Sequence, residues 1–280
     1  MAAQSQSRPR LVAPPGTCDT HMHFYDRRFP TVPTALLTPP DAGHSAYKEL
    51  CHRLGITRTV VVQPTTYGKD NRCTLDAIAA LGENARGIAV VDESVTDEEL
   101  ESLTKGGMRG VRFHQLPGGA LQWDQLEAIL ARVQPFGWHT QLQLDGRDFP
   151  KHEAMIRRFP GTLVIDHTGK FLEPVSTDHA AFKILLSLLD NGRTYVKLSA
   201  PYEVSKVGPP HYDDVGALAK ALVKAAPERM LWATNWPHPS SPADNKPDDA
   251  VLLDVMLDWV PDEANRRKML VDNPARLYGF

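Results

Sequence analysis

Cysteine is scarce in this chain: Cys18, Cys51 and Cys73 are the only three in 280 residues. Their spacing fits neither a zinc site nor a redox pair, and an odd number cannot complete a disulfide framework. That usage is the expectation for a chain kept in the reducing cytoplasm. No apolar run approaches the roughly 18 residues of a membrane span. No basic tract is present and the formal net charge is −3, so neither nucleic acid nor a membrane is an expected partner. Residues 1–15 lack the apolar core of a signal peptide and read as a flexible N-terminal arm. No Gly-rich phosphate fingerprint follows the first apolar run, which disfavours an open dinucleotide-binding sheet. Solenoid repeats and low-complexity tracts are also missing. What is present is an ordinary globular balance, 42% apolar and 23% charged, enough for one large domain over residues 16–280.

Short runs rich in β-branched residues alternate with longer helical patterns. The runs fall at residues 17–24, 58–64, 86–92, 108–115, 138–146, 163–169, 195–201 and 230–237. Helical spacing of apolar residues marks 75–81, 97–105, 123–136, 151–159, 180–189, 214–225 and 250–260. Thr96 stands three residues before Glu99, with acidic residues between them, and this predicts a capped helix start. Such alternation requires parallel strands joined by right-handed crossovers. Eight units close into a barrel with no free sheet edge, so the predicted fold is α/β, a single (β/α)8 barrel of the TIM type. The proline-rich segment 30–43 reads as a long loop at the barrel mouth, as do 205–212 and 240–248.

Side chains alternate between the two faces of a strand. The first run therefore places Asp19, His21 and His23 on one face and Cys18, Thr20 and Met22 on the other. The fourth contributes Gly110, Arg112 and His114, the fifth Gln141, Gln143 and Asp145, and the seventh Lys197 and Ser199. The sixth ends in Asp166-His167-Thr168-Gly169, and the eighth in Thr234-Asn235-Trp236-Pro237-His238 with Asn235 at the rim. A packed barrel interior favours Val, Ile and Leu, and buried polar groups cost free energy unless satisfied. One such histidine alone reads as a structural residue. Polar groups converging from six strand ends read as an active site.

His-x-His on the first strand of a predicted barrel resembles the amidohydrolase superfamily. The stretches 18–23, 166–170 and 234–239, with Gly110-Val111-Arg112-Phe113 and Leu116-Pro117-Gly118-Gly119, are similar to its lactone branch, which holds lactonases and a lactone isomerase. In metal-dependent members the resemblance implies zinc on the His pair, on middle-strand ligands and on an Asp of the eighth strand. Here Gln143 stands where a histidine is implied, Asn235 where the Asp is implied, and the cation Arg112 falls nearby. A divalent ion wants anionic or imidazole ligands. The resemblance thus implies no cofactor and no metal. His21, His23 and His167 are the ligands if one binds.

Lactone opening needs a stabilised carbonyl oxygen, a deprotonated nucleophile and a protonated leaving oxygen. His21, His23 and His167 are the expected catalytic groups, since imidazole titrates near neutrality. Arg112 and Lys170 are the expected anchors for a substrate carboxylate. Gln143 and Asn235 are expected to hydrogen-bond substrate hydroxyls, and Tyr67, Tyr202 and His238 to line the mouth. Asn235 has no basic lone pair. A histidine base, a nucleophile other than water, or an Asp replaced by Asn all remain open. The expected substrate is a small lactone with one acidic group, resembling a sugar acid. The expected activity is a lactone hydrolase. A lactone isomerase is the second reading, and a degenerate barrel that binds a sugar acid without turnover the third.

Overall fold

The computed structural model describes residues 7–280. Its centre is an eight-stranded sheet whose spatial order follows the chain: β1 (Cys18–Met22), β2 (Arg58–Val62), β3 (Ala85–Ala89), β4 (Met108–His114), β5 (His139–Gln143), β6 (Leu163–Ile165), β7 (Thr194–Ser199) and β8 (Met230–Ala233). Every neighbouring pair from β1 to β8 is parallel. The ring closes between first and last strands, where the His23 amide donates to the Trp236 carbonyl and the Asn235 amide to the His21 carbonyl. All eight sequence-predicted strands are present. The helices are α1 (His44–Leu54), α2 (Arg72–Leu81), α3 (Asp97–Lys105), α4 (Leu126–Val133), α5 (Phe149–Arg158), α6 (Ala180–Leu189), α7 (Asp213–Ala225), α8 (Asp249–Trp259), α9 (Glu263–Arg267) and α10 (Asn273–Tyr278). α1, α9 and α10 were not among the expected stretches. α1 carries only three buried residues on a polar background, a weak helical signal. The cap expected at Thr96 forms, its side chain accepting from the Glu99 amide.

Two apolar layers hold the barrel. The larger lies between strands and helices and contains Val61, Val111, Phe113, Leu142, Ile165, Val196, Leu198 and Trp232. The smaller fills the lower barrel interior: Cys18, Val60, Val62 and Ile88 with Tyr278 of α10, and across from them Val164, Tyr195 and Leu231. Along β7 the inward residues run Tyr195, Lys197, Ser199, so the interior passes from apolar to polar toward the strand C-termini. This is the end at which barrels of this type place their active sites.

The segment expected as a loose arm is held down over its described part. Leu11 is buried, its amide donates to Asp254 of α8, and Arg10 pairs with the same carboxylate. One burial and one shared acid turn residues that read as featureless into a strap. Residues 1–6 lie outside the described residues.

Candidate active site

The first strand does not alternate regularly. Asp19 pairs with Thr59 but Met22 pairs with Val61, so β1 spends three residues where β2 spends two. This bulge re-aims the side chains that follow it. Asp19 points outward, accepting from the Tyr47 hydroxyl of α1 and from the amide and hydroxyl of Thr234. Cys18 points inward below the bulge, and His21 and His23 point inward above it. The expectation that Asp19 shares their face is therefore corrected. Asp19 is an anchor between α1 and β8, and burial pushes its carboxyl up to about 6 despite those bonds.

Two fixed groups set the protonation of the imidazoles. The Val62 carbonyl, which can only accept, lies 2.7 Å from His23 Nδ1, so His23 carries its proton there and presents Nε2 as an acceptor. His21 Nε2, 3.3 Å away, is then the donor of that pair. His21 Nδ1 must accept; it faces two donors, Lys197 Nζ at 3.3 Å and Gln141 Nε2 at 3.4 Å, with Asp166 Oδ1 also 3.3 Å away. Lys197 also donates to Gln141 Oε1 at 2.7 Å and lies 3.4 Å from Asp166 Oδ1. Gln141 returns a bond to Asp166 Oδ2 at 3.1 Å. His167 sits against this group, its ring centre 4.8 Å from that of His21, with Nδ1 2.9 Å from Ser199 Oγ. Burial, reinforced by neighbouring cations, holds His21 and His167 well below the usual imidazole range and His23 at about 3. All three are neutral at neutral pH. Burial pushes Asp166 up, but Lys197, His167 and Arg112 outweigh it and the carboxyl stays below its ordinary value.

Arg112 rises from β4 beside this cluster. It is 5% exposed. Nη1 donates to the Gln63 carbonyl at 2.8 Å and Nη2 to Gln143 Oε1 at 3.1 Å. Gln63 is itself fixed by Thr74 and by the carbonyls of Gly68 and Asp70. Arg112 Nε has no protein partner, and among the described residues no carboxylate forms an ion pair with this guanidinium. Gly110, one step below on the same face, leaves room for the His139 ring, which a Cβ would meet at 2.8 Å.

The eighth strand contributes a relay. His238 Nε2 lies 3.0 Å from Asp249 Oδ1 and Nδ1 3.0 Å from the Tyr202 hydroxyl, and Asn235 Nδ2 donates to that hydroxyl at 2.8 Å. Because Asp249 accepts, His238 Nδ1 accepts from Tyr202, and Tyr202 in turn accepts from Asn235. The order leaves the Asn235 carbonyl oxygen outside the relay. Of seven non-glycine residues with positive φ among the described residues, His167, Thr168, Lys170, Asn235 and His238 lie at the ends of β6 and β8. Each costs about 1–3 kcal/mol, and such strain concentrates at functional sites.

A family model described as amidohydrolase matches residues 18–280. The chain belongs to the amidohydrolase family. Its relatives include a D-galactarolactone isomerase of Agrobacterium fabrum, 36% identical over 98% of this chain and 94% of that one. A 2-pyrone-4,6-dicarboxylate hydrolase of Comamonas testosteroni is 35% identical over 97% and 93%. An apo crystal structure from Agrobacterium tumefaciens is superposable with a TM-score of 0.92 at 36% identity, covering 97% of this chain and 98% of that one.

The family raises the question of a metal, and the geometry of this amidohydrolase can be tested for one. The group with ligand spacing is His21, Asp166 and His167, whose donor atoms lie within 4.8 Å of one another. His23, expected as a ligand, is not in it: its two nitrogens are committed to Val62 and His21. The Lys197 ammonium is fully buried, 3.3 Å from His21 Nδ1 and 3.4 Å from Asp166 Oδ1, which are themselves 3.3 Å apart. A divalent ion there would meet a fixed cation at contact distance, with Arg112 behind it. The residues present therefore do not fit a metal.

The remaining expected residues divide. His21, His23 and His167 form one buried cluster, Arg112 and Gln143 pair with each other, and Asn235, Tyr202 and His238 form the relay. Tyr67 is turned to the loop after β1, its hydroxyl bonded to the Asp26 amide and carbonyl. Lys170 is tied to Glu203 rather than free. Asp166, Lys197 and Gln141 lie at the centre of the site although none was among the expected catalytic or binding residues. Their inward parity was visible in the strand pattern, but nothing in one sequence says that Lys197 reaches His21.

Proposed function

We propose that this amidohydrolase performs acyl transfer on a small lactone that bears one carboxylate. The observation that carries this reading is Arg112, a buried guanidinium that lacks a carboxylate of its own beside three neutral imidazoles. Leaving a buried charge unpaired is costly, and a substrate carboxylate relieves that cost through charge-assisted bonds. The relatives act in the same sense: their names specify a galactarolactone, a pyrone dicarboxylate and a sulfomuconolactone.

With the carboxylate on Arg112, the lactone carbonyl lies over the His21–His23–His167 face. His167 is positioned as the neutral base, His23 Nε2 being held by His21, and Lys197, through Gln141 and His21, fixes the hydrogen-bonding sense of the group. Water adds to the carbonyl carbon while an imidazole takes its proton. The tetrahedral intermediate then expels the ring oxygen, which receives that proton, and the products are a carboxylic acid and a free hydroxyl.

A second reading is favoured by Asn235, whose amide cannot act as a base. A hydroxyl of the substrate attacks its own carbonyl and the ring changes size, a step assisted by proximity more than by activation of water. Proton NMR of D-galactarolactone, which carries one free carboxylate, separates the two. Hydrolysis gives the open acid and isomerisation a lactone of different ring size. No change in the spectrum with folded enzyme, for this or any other monocarboxylated lactone, would refute both.

A further inference from the structure

Beside the active-site cluster lies an open-mouthed chamber of about 490 Å³, lined by Lys170, Tyr202, Glu203, Ser240 and Asn245 among others. The loops 205–212 and 240–248 form its outer walls. It meets the active-site cluster at two residues. Tyr202 belongs to the relay that holds Asn235, and Lys170 follows His167 by three positions in the turn after β6. The chamber is too large for a water or two and has no role in the chemistry described above.

Charge decides what it can take. Lys170 is the only cation on its wall, and it is held by Glu203, with both side chains about nine-tenths buried. Glu203 also accepts from the Ser240 hydroxyl. The remaining polar lining is neutral: Ser205, Ser241 and Asn245, beside Leu172, Pro209, Tyr212, Pro242 and Pro247. A carboxylate entering here would find the ammonium already neutralised and would face the Glu203 carboxylate at short range. Hydroxyl groups suffer no such penalty and meet both donors and acceptors.

We propose that this chamber is the subsite for the far end of the substrate, and that Glu203 makes it select a neutral, hydroxyl-bearing tail against a second carboxylate. The inference rests on the lactone reading for its substrate, and its test is arranged to be independent of turnover. The probes are gluconate, with one carboxylate and a hydroxylated tail, and pyridine-2,4-dicarboxylate, with two carboxylates on a rigid ring. Isothermal titration measures both against the full chain, Glu203→Gln and the double variant Glu203→Gln/Lys170→Met.

The wild type is expected to bind gluconate more tightly than the dicarboxylate. Glu203→Gln frees the Lys170 ammonium and is expected to tighten the dicarboxylate at least tenfold relative to gluconate. The double variant removes the freed cation and is expected to reverse that gain. An unchanged ratio of the two dissociation constants in Glu203→Gln, with its thermal midpoint preserved, would overturn the proposal. So would a wild type that binds neither probe or prefers the dicarboxylate. Lactone turnover measured on the same proteins is a separate reading: its absence in all three refutes the lactone activity, whereas the binding ratio alone decides the subsite.

Discussion

Replacing Lys197 with Met removes the ammonium and keeps most of the side-chain volume. Lys197 and Asp166 are both fully buried, and three of the contacts that satisfy the cluster run through the ammonium: Gln141 Oε1, His21 Nδ1 and Asp166 Oδ1. In the variant Asp166 keeps one donor, Gln141 Nε2. Breaking a buried pair in this way costs about 3–5 kcal/mol. For 280 residues the unfolding entropy is roughly 0.6 kcal/mol per degree, so the thermal midpoint is expected to fall by about 5–8 °C. The sign of the pH dependence is fixed as well. Asp166 has a depressed carboxyl in the native protein, and its contribution is present at neutral pH and lost in acid. Without Lys197 its carboxyl is pushed up by burial, so the deficit of the variant is largest near pH 7 and closes as the pH falls. Adding Asp166→Asn removes the orphaned charge and is expected to recover most of the loss. Calorimetry of the wild type, both single variants and the double variant measures the coupling directly. A Lys197→Met midpoint within a degree of wild type, or strictly additive losses, would refute the network as described.

The same Lys197→Met protein removes the cation beside His21 Nδ1 and Asp166 and should acquire zinc affinity. Zinc at about a hundred times its dissociation constant adds ~2.7 kcal/mol, read as a rise of several degrees in the variant; an equal rise in the wild type would contradict the metal assessment. Arg112→Met is expected to lower kcat/KM for a monocarboxylated lactone by roughly 30- to 5000-fold, the equivalent of losing a ~2–5 kcal/mol buried charge contact. L-Fucono-1,5-lactone, which has no carboxylate, should be spared, and equal losses on both compounds would rule out the anchor. Asn235→Asp is expected to change hydrolysis only a few-fold, because the proposed base is an imidazole. A gain of a hundredfold in steady-state rate would instead make position 235 the site of the base. Stability should fall as the pH drops from 6.5 toward 4. His23, His114 and His139 are each pushed by burial to about 3, so the unfolded chain binds more protons through this window. Asp19, raised to about 6, acts in the opposite direction but is one group against three. A thermal midpoint that stays flat or rises over that range in circular dichroism would contradict the buried-neutral assignment.

The barrel was legible because its signal is periodic. Eight β-branched runs and their spacing are local properties, and each observed strand begins within one residue of an expected run. Two buried asparagines brace the barrel through their side-chain amides. Asn71 exchanges two bonds with the Val90 backbone, and Asn273 donates to the Pro227 and Met230 carbonyls. The bulge in β1 was not legible. Strict alternation places Asp19 with His21, and only the pairing of two strands 40 residues apart shows that it turns away. The centre of the site was missed for a related reason. A lysine in a strand is ordinary in sequence, and its function here depends on reaching a histidine 176 positions away. The Lys170–Glu203 pair likewise joins two separate loops, so Lys170 read as a free anchor when its counter-charge lay out of view.

The most direct test is proton NMR of D-galactarolactone with enzyme that has been stripped by a chelator and desalted. Turnover at the rate of untreated protein is expected, because the neutral imidazoles supply the proton transfers and Arg112 and the Lys197 ammonium the charges the reaction needs. Activity that disappears on stripping and returns with zinc would contradict the central claim.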